Sequence, residues 1–378
     1  MNKLILLAAG GTGGHLFPAE ALAAVLKARG YEVDLATDDR AARYAGHFPA
    51  RELHVLPADT VRGRSPVALA RTALALGSGL VSGLALMRRL KPAVVVGFGG
   101  YPTVPPLLAA SFSGVPTVVH ESNGVMGRAN RMLAGRVRAI ATGFPGLLKG
   151  DAALAAKEVW TGNPLRPAAL AAAGLPYETP QPQGPLRVLV FGGSQGARVM
   201  SDVVPEALEQ LDPALRARLH LTQQAREEDM ARVQAAYERM GVTAQLAPFF
   251  DDLPARMGAA QLVISRSGAG TVAELSALGR PSILVPLPGA IDQDQAANAR
   301  ALGEAGGALV LPQTDFTPAR LAAELARFAS SPDLLADMAQ AARANGVLDA
   351  AARLADLVGH LAGGGTTDSF RNLQGPRT

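Results

Sequence analysis

The sequence predicts an α/β chain made of two Rossmann-like, doubly wound domains that face each other across a central cleft. Three observations carry this reading. Short apolar runs alternate with helical stretches along the chain, the pattern of parallel strands covered by helices on both faces. Two segments open alike: Lys3 to His15 (KLILLAAGGTGGH) and Leu186 to Arg198 (LRVLVFGGSQGAR) each run from an apolar stretch into a glycine cluster. Glycines where strand meets helix let the backbone approach a ligand, and the helix start favours an anion. Finally, 378 residues exceed one ordinary core.

Taken in order, the strand-like runs of the first half are Leu4–Ala8, Val33–Ala36, Ala93–Val96, Thr117–His120 and Ala139–Thr142. Those of the second half are Val188–Phe191, Leu219–Thr222, Gln245–Ala247, Leu262–Ser265, Ser282–Val285 and Ala308–Leu311. The chain therefore divides into an N-terminal domain over 1–163 and a C-terminal domain over 187–345. Residues 164–186 contain a proline-rich run from Pro176 to Pro185 and read as an exposed linker. A C-terminal helix is expected over 346–362 and a flexible, glycine-led tail over 363–378.

Composition narrows the function. Apolar residues make up 48% of the chain, enough for two large cores. Aromatics are only 4%, which argues against aromatic platforms for bases or sugars. There is no cysteine, so neither disulfides nor thiolate chemistry is expected. A net charge of +4 on a chain of this size does not suggest nucleic acid. The opening MNKLILLAAGG is read as the first buried strand rather than a signal peptide, because glycines interrupt it. Residues Thr72 to Met87 carry no charge and contain three glycines, with Arg62, Arg64 and Arg71 before them and Arg88, Arg89 and Lys91 after. The stretch is shorter than the roughly 20 residues of a spanning helix. It is either a core helix with cationic ends or an apolar patch resting on an anionic membrane surface.

Ligands of open α/β sheets bind beyond the carboxyl ends of the strands. The polar residues there are Thr12 to His15, Gly97 to Pro102, His120 to Gly124, Gly192 to Ala197, Ser265 to Thr271 with Glu274, and Asp292 to Ala299. Neither glycine loop reads Gly-x-Gly-x-x-Gly with an acidic residue about twenty positions on, which disfavours a nicotinamide dehydrogenase.

Together these six stretches, GGTGGH, GGSQGA and RSGAxTxxE among them, resemble the UDP-N-acetylglucosamine–N-acetylmuramyl-(pentapeptide) pyrophosphoryl-undecaprenol N-acetylglucosaminyltransferases (MurG) of glycosyltransferase family 28, from Gly10 to about Leu361. The resemblance implies the GT-B fold, with the acceptor and the membrane on the N-terminal domain and UDP-GlcNAc on the C-terminal one. It implies inverting transfer of N-acetylglucosamine to the muramyl C4 hydroxyl of lipid I, giving lipid II. It further implies a peripheral enzyme on the cytoplasmic face of the cell membrane, without a transmembrane helix. No cofactor or bound metal is required, though a divalent ion is not excluded. Cell-wall synthesis proteins are further candidate partners. Three departures stand out: Ser122, Thr103 and Asp294 replace the family's usual residues; Thr103 keeps the hydroxyl, Ser122 shortens a side chain and Asp294 adds a charge.

His15 is the candidate catalytic base, since imidazole titrates near neutrality and a helix start favours its neutral form. His120 and Glu121 are alternatives. The resemblance places Thr12, Gly13, Gly14, Asn123, Arg166, Ser194, Phe250, Ala269, Gly270, Thr271, Glu274 and Gln295 at the donor, with Ser194 and Arg166 on its diphosphate, Glu274 on the ribose and the Phe250 backbone on uracil. It places His15, Gly99, Gly100 and Tyr101 at the acceptor diphosphate. A UDP-GlcNAc 2-epimerase, a transferase with another lipid acceptor and a catalytically dead binding subunit are the competing readings.

Overall fold

A computed structural model describes residues 3–10, 13–39, 48–57, 66–193, 196–289 and 293–374, with backbone alone at 66–73, 75 and 374. The chain forms two compact units: Met1–Arg166 with Leu348–Thr378, and Pro167–Val347.

The first unit contains, among the described residues, strands β1 (Leu4–Ala8), β2 (Glu32–Thr37), β3 (Leu53–Val55), β4 (Val94–Gly97), β5 (Thr117–Glu121), β6 (Ala139–Thr142) and β7 (Glu158–Trp160). They form one parallel sheet in the order β3-β2-β1-β4-β5-β6-β7. The central strands are continuously apolar because both faces are covered. Ile5 and Leu7 pack with Leu22 and Leu26 of the helix Gly13–Ala28 and with Leu354 and Val358 of the helix Ala350–Ala362. Leu6 and Ala8 face the other way, onto Leu86, Leu107 and Leu133.

The second unit contains β8 (Leu186–Phe191), β9 (Leu219–Gln224), β10 (Thr243–Ala247), β11 (Leu262–Ser265), β12 (Ser282–Leu284) and β13 (Ala308–Val310). Their order is β10-β9-β8-β11-β12-β13, again all parallel. In each unit the strand order reverses beside the first strand, between β1 and β4 and between β8 and β11. The carboxyl ends at that reversal open the crevice in which such sheets bind ligands. All eleven expected runs lie in these sheets. Edge strands β3 and β7 were not expected: each has three residues, and His54 and Glu158 interrupt any apolar run.

Two expectations are refined. The segment 164–186 is mostly exposed, but it is not a free tether. Its helix Pro167–Ala173 buries Ala169, Ala172 and Ala173 in the second unit. Tyr177 donates its hydroxyl to the Gln261 carbonyl (2.9 Å), and Gln261 Nε2 donates to the Glu178 carbonyl (3.1 Å). Below them lies the fully buried guanidinium of Arg280. It donates to the carbonyls of Met257 and Gly258, of Leu278 and Gly279, and of Leu175 and Pro176. These are the carboxyl ends of three helices, Leu253–Ala259, Ala269–Leu278 and Pro167–Ala173, where unpaired carbonyls and helix dipoles favour a cation.

Nor is 363–378 a flexible tail throughout. Gly364 reverses the chain at φ +89°, and a helix follows over Thr367–Gln374. Phe370 is buried against the His360 ring, and Thr367 Oγ1 donates to the Arg138 carbonyl (2.8 Å). The glycine run makes a turn there rather than a tether.

Candidate active site

In the first unit the crevice is built around His15. It lies in the first turn of the helix Gly13–Ala28, just beyond β1. The loop after β4 brings Gly99 and Gly100 beneath its ring. A Cβ on Gly99 would meet His15 Cε1 at 3.2 Å, and one on Gly100 would meet Cδ2 at 3.3 Å. Both glycines have positive φ, +87° and +75°, so conformation and space each demand glycine. Thr103 fixes this loop by donating its Oγ1 to the Gly100 carbonyl (2.8 Å).

Burial pulls the His15 pKa below its ordinary value, and the Phe98 backbone only partly opposes that. Nδ1 is buried with no hydrogen bond of good geometry. Nε2 lies over Gly100 and is the ring nitrogen left to meet a substrate. Tyr101 follows in a short 3₁₀ turn.

The two alternative bases are otherwise engaged. His120 is fully buried, its Nε2 bonded to the Gly162 carbonyl (3.1 Å) and its Nδ1 to Ser122 Oγ (3.2 Å). Since a carbonyl only accepts, Nε2 carries the proton and Ser122 donates to Nδ1. Burial lowers the His120 pKa to about 4, with the nearby His15 adding to the shift. Glu121 accepts from the backbone N–H groups of Asn123 (3.0 Å) and Gly127 (2.9 Å), and from the amides of Asn123 (3.2 Å) and Asn130 (2.8 Å). It organises its loop and has no capacity left for a substrate proton. Asn123 is held by that carboxylate. Arg166 lies over the Phe17 ring, 4.6 Å from its centroid, at the end of the first unit. Gly13 and Gly14 open the helix that carries His15.

In the second unit the glycine loop after β8 turns at Gly193 (φ +93°) and Gly196 (φ +68°) into the helix Arg198–Glu209. The stem of Arg226 lies against Gly196, while its guanidinium pairs with Glu228 (3.0 Å) and Asp229 (3.1 Å). The loop N–H groups and the helix dipole therefore remain the anion-binding elements. After β11, Gly268 starts the helix Ala269–Leu278 with no side-chain cap, and nothing stands within 4 Å of where a Gly270 Cβ would be. This leaves an open helix start, with Thr271 in its first turn and Glu274 buried one turn further on.

Gln295 is held at two points: Ser267 Oγ donates to its backbone carbonyl (2.8 Å), and its Oε1 accepts from the Leu287 N–H (3.0 Å). Asn298 Nδ2 in turn donates to the Ser267 carbonyl (3.1 Å). The Gln295 side chain thus offers a ligand the NH₂ donor. Phe250 is buried under the Arg256 guanidinium, 4.3 Å from its ring centroid, which leaves its backbone as the group to meet a ligand. Thr12 and Ser194 lie outside the described residues, as do Arg62 and Arg64 and the side chain of Arg71.

Three positioning groups were not singled out from the sequence. Asn130 bonds both Glu121 and the His120 carbonyl. Arg266 donates to the Val285 and Pro286 carbonyls and to Gln313. Gln224 links two loops of the second unit. Of these only Gln224 and Arg266 end a strand or follow one directly, which is the signal that would have found them.

The one cluster of potential metal ligands among the described residues is Asp34, Glu52 and His54, on β2 and around β3. Both Asp34 oxygens bond Arg51 (2.9 Å each), and one also bonds His54 Nε2 (2.9 Å). That is an ion-pair network.

Residues 5–142 match the model of the glycosyltransferase family 28 N-terminal domain, and 187–354 that of its C-terminal domain. A UDP-N-acetylglucosamine--N-acetylmuramyl-(pentapeptide) pyrophosphoryl-undecaprenol N-acetylglucosamine transferase of Rhodopseudomonas palustris (strain HaA2) is 65% identical over 355 residues, covering 94% of this chain and 97% of that protein. The crystal structure of Acinetobacter baumannii MurG superposes with a TM-score of 0.77 at 29% identity, covering 95% and 99% of the two chains. A UDP-N-acetylglucosamine 2-epimerase structure reaches a TM-score of 0.68 at 15% identity over 96% and 97%, a likeness of fold alone.

Proposed function

We infer the role of this chain from the family to which it belongs, glycosyltransferase family 28. It transfers N-acetylglucosamine from UDP-N-acetylglucosamine to the muramyl C4 hydroxyl of lipid I and so makes lipid II, a step of peptidoglycan synthesis. The observation that carries this is 65% identity to transferases of that name over 94% of the chain, through both units.

We propose the following division of labour. His15 Nε2 takes the proton from the C4 hydroxyl as that oxygen attacks the anomeric carbon from the face opposite UDP. The bond to the UDP oxygen breaks, and the configuration inverts. The departing diphosphate is met by the Gly192–Ala197 loop and its helix, which act as preorganised donors without a required metal. Glu274 holds the ribose and Gln295 the sugar hydroxyls. If so, Glu274→Ala raises the donor KM about tenfold or more while the acceptor KM stays within about twofold, a loss of charge-assisted hydrogen bonds confined to the nucleotide. Initial-rate kinetics with UDP-GlcNAc and a short-chain lipid I analogue test the function and this split together. No transfer to the analogue would reject the acceptor, and equal effects on both KM values would reject the ribose role.

The first unit also carries a surface suited to an anionic membrane, and we propose that it docks there. No helix among the described residues is long and apolar enough to cross a membrane. In the helix Pro66–Leu90, Gly79 and Gly83 let the helix Val104–Phe112 pack close: their Cβ atoms would stand 3.0 Å from Pro105 Cγ and 2.9 Å from Ala109 Cβ. The opposite face presents Leu74 and Val81, 75% and 67% exposed and seven residues apart, and Phe112 on the neighbouring helix is 61% exposed. Arg88 and Lys91 are exposed at the helix end. Arg89 instead reaches His54 Nδ1 at 3.2 Å. Beyond Phe112, a cavity of about 320 Å³ is lined by Arg136, Arg138 and Lys157 without an acidic residue. The double variant V81D/F112D should lower partition onto phosphatidylglycerol-containing vesicles at least about tenfold, since each buried apolar side chain contributes on the order of 2 kcal/mol. Unchanged sedimentation with the vesicles would reject this surface.

A further inference from the structure

Gln224 is the last residue of β9, which lies between β8 and β10. Its buried amide reaches to both sides. Oε1 accepts from the N–H of Gly192 (3.0 Å), the first residue of the loop after β8. Nε2 donates to the carbonyl of Pro248 (3.1 Å), two residues before Phe250 in the loop after β10. Both backbone groups lie just past the ends of their strands, and the Gln224 amide gives each a partner of the opposite kind. A glutamine amide supplies donor and acceptor on one rigid plane.

The first of these loops is tightly determined by where Gly192 stands. It folds back so closely that a Cβ on Gly192 would run into the Ala197 backbone, and the helix Arg198–Glu209 begins one residue later. Moving Gly192 therefore moves the anion-binding helix start with it.

Resting on the assignment of these loops to the diphosphate and to uracil, we propose that Gln224 is a positioning residue that sets the distance between the diphosphate-binding and base-binding loops. UDP then binds as a two-point ligand. Each point contributes fully only when the spacing of the two matches the length of the nucleotide, because the second contact forms within the complex of the first. Loss of the bridge leaves each subsite intact and removes their concert.

This reading separates from a purely structural role by the ligand used. Equilibrium binding of UDP, uridine and inorganic pyrophosphate is measured by ligand-observed NMR on the full-length wild type and on Q224L, with folding followed by far-UV circular dichroism. Q224L is expected to bind UDP about tenfold more weakly, with uridine and pyrophosphate each within about twofold of wild type. In turnover, the donor KM rises about tenfold while kcat and the acceptor KM stay within about twofold. Q224E keeps the acceptor toward Gly192 but sets a carboxylate oxygen against the Pro248 carbonyl, so it is expected to show the same pattern. It also serves as the readout should Q224L fail to fold. Unchanged UDP affinity in a folded variant overturns the proposal. A loss for uridine or pyrophosphate as large as that for UDP overturns it too, since that reports damage within one loop. A wild type that binds no UDP at all overturns the nucleotide assignment itself.

Discussion

Replacing His15 with alanine lowers kcat for lipid II formation by about 10²- to 10⁴-fold, the usual contribution of a positioned general base, while UDP still binds to the second unit. The ring lies flat over Gly99 and Gly100 with Nε2 as its one nitrogen in reach of a ligand. Neither alternative base can replace it: His120 has both nitrogens bonded inside the core, and Glu121 is saturated with donors. The sign of the pH dependence follows from burial. The base works when neutral, and burial holds its pKa below the ordinary 6.5. The wild-type kcat/KM therefore rises with pH along a limb below 6.5 and is flat through neutrality, and the variant lacks this limb. Steady-state rates from pH 5 to 8 check both points. A kcat within tenfold of wild type, or an unchanged acid limb, would assign the base elsewhere.

Arg280→Ala destabilises the second unit by about 3 kcal/mol or more. Six carbonyls at three helix ends depend on this guanidinium, and a buried acceptor left unpaired costs about 1–3 kcal/mol. Arg343 cannot take over, because it is already bound to the Ala173 and Ala277 carbonyls. Arg280→Lys restores the charge but not the fork, so it recovers only part of the loss. Urea unfolding followed by far-UV circular dichroism reports the change. A shift under about 1 kcal/mol in the alanine variant would show that water or relaxation satisfies those carbonyls.

The sheets were legible because their central strands are apolar without interruption, and the glycine loops because a strand end without side chains leaves few other uses. Edge strands β3 and β7 were hidden by His54 and Glu158, whose partners lie on other elements. The placement of His15 over two glycines was half legible: the loops were visible, but not that Gly99 and Gly100 would lie under the ring. Saturation of Glu121 by four donors could not be read at all, since Gly127 and Asn130 declare nothing until the loop closes on itself. The proline-rich segment is exposed as its composition suggests, but its anchoring was not legible: Leu175 and Pro176 give their carbonyls to an arginine about a hundred residues later.

The helix Ala350–Ala362 has a consequence for the order in which the protein is made. Leu354, Leu357, Val358 and Leu361 complete the core over Ile5 and Leu7, but they leave the ribosome only after the whole of Pro167–Val347. The second unit is one contiguous stretch and can close as soon as it emerges. The first unit must wait, with one face of its oldest strands covered only in part by the helix Gly13–Ala28, until the helix Ala350–Ala362 arrives. Contacts spanning more than three hundred residues are slow to form, and an uncovered apolar face is open to association meanwhile. The nascent N-terminal half is thus the client that a folding chaperone would have to shelter, and the second unit, whose sequence interrupts that of the first, is the earlier to become native.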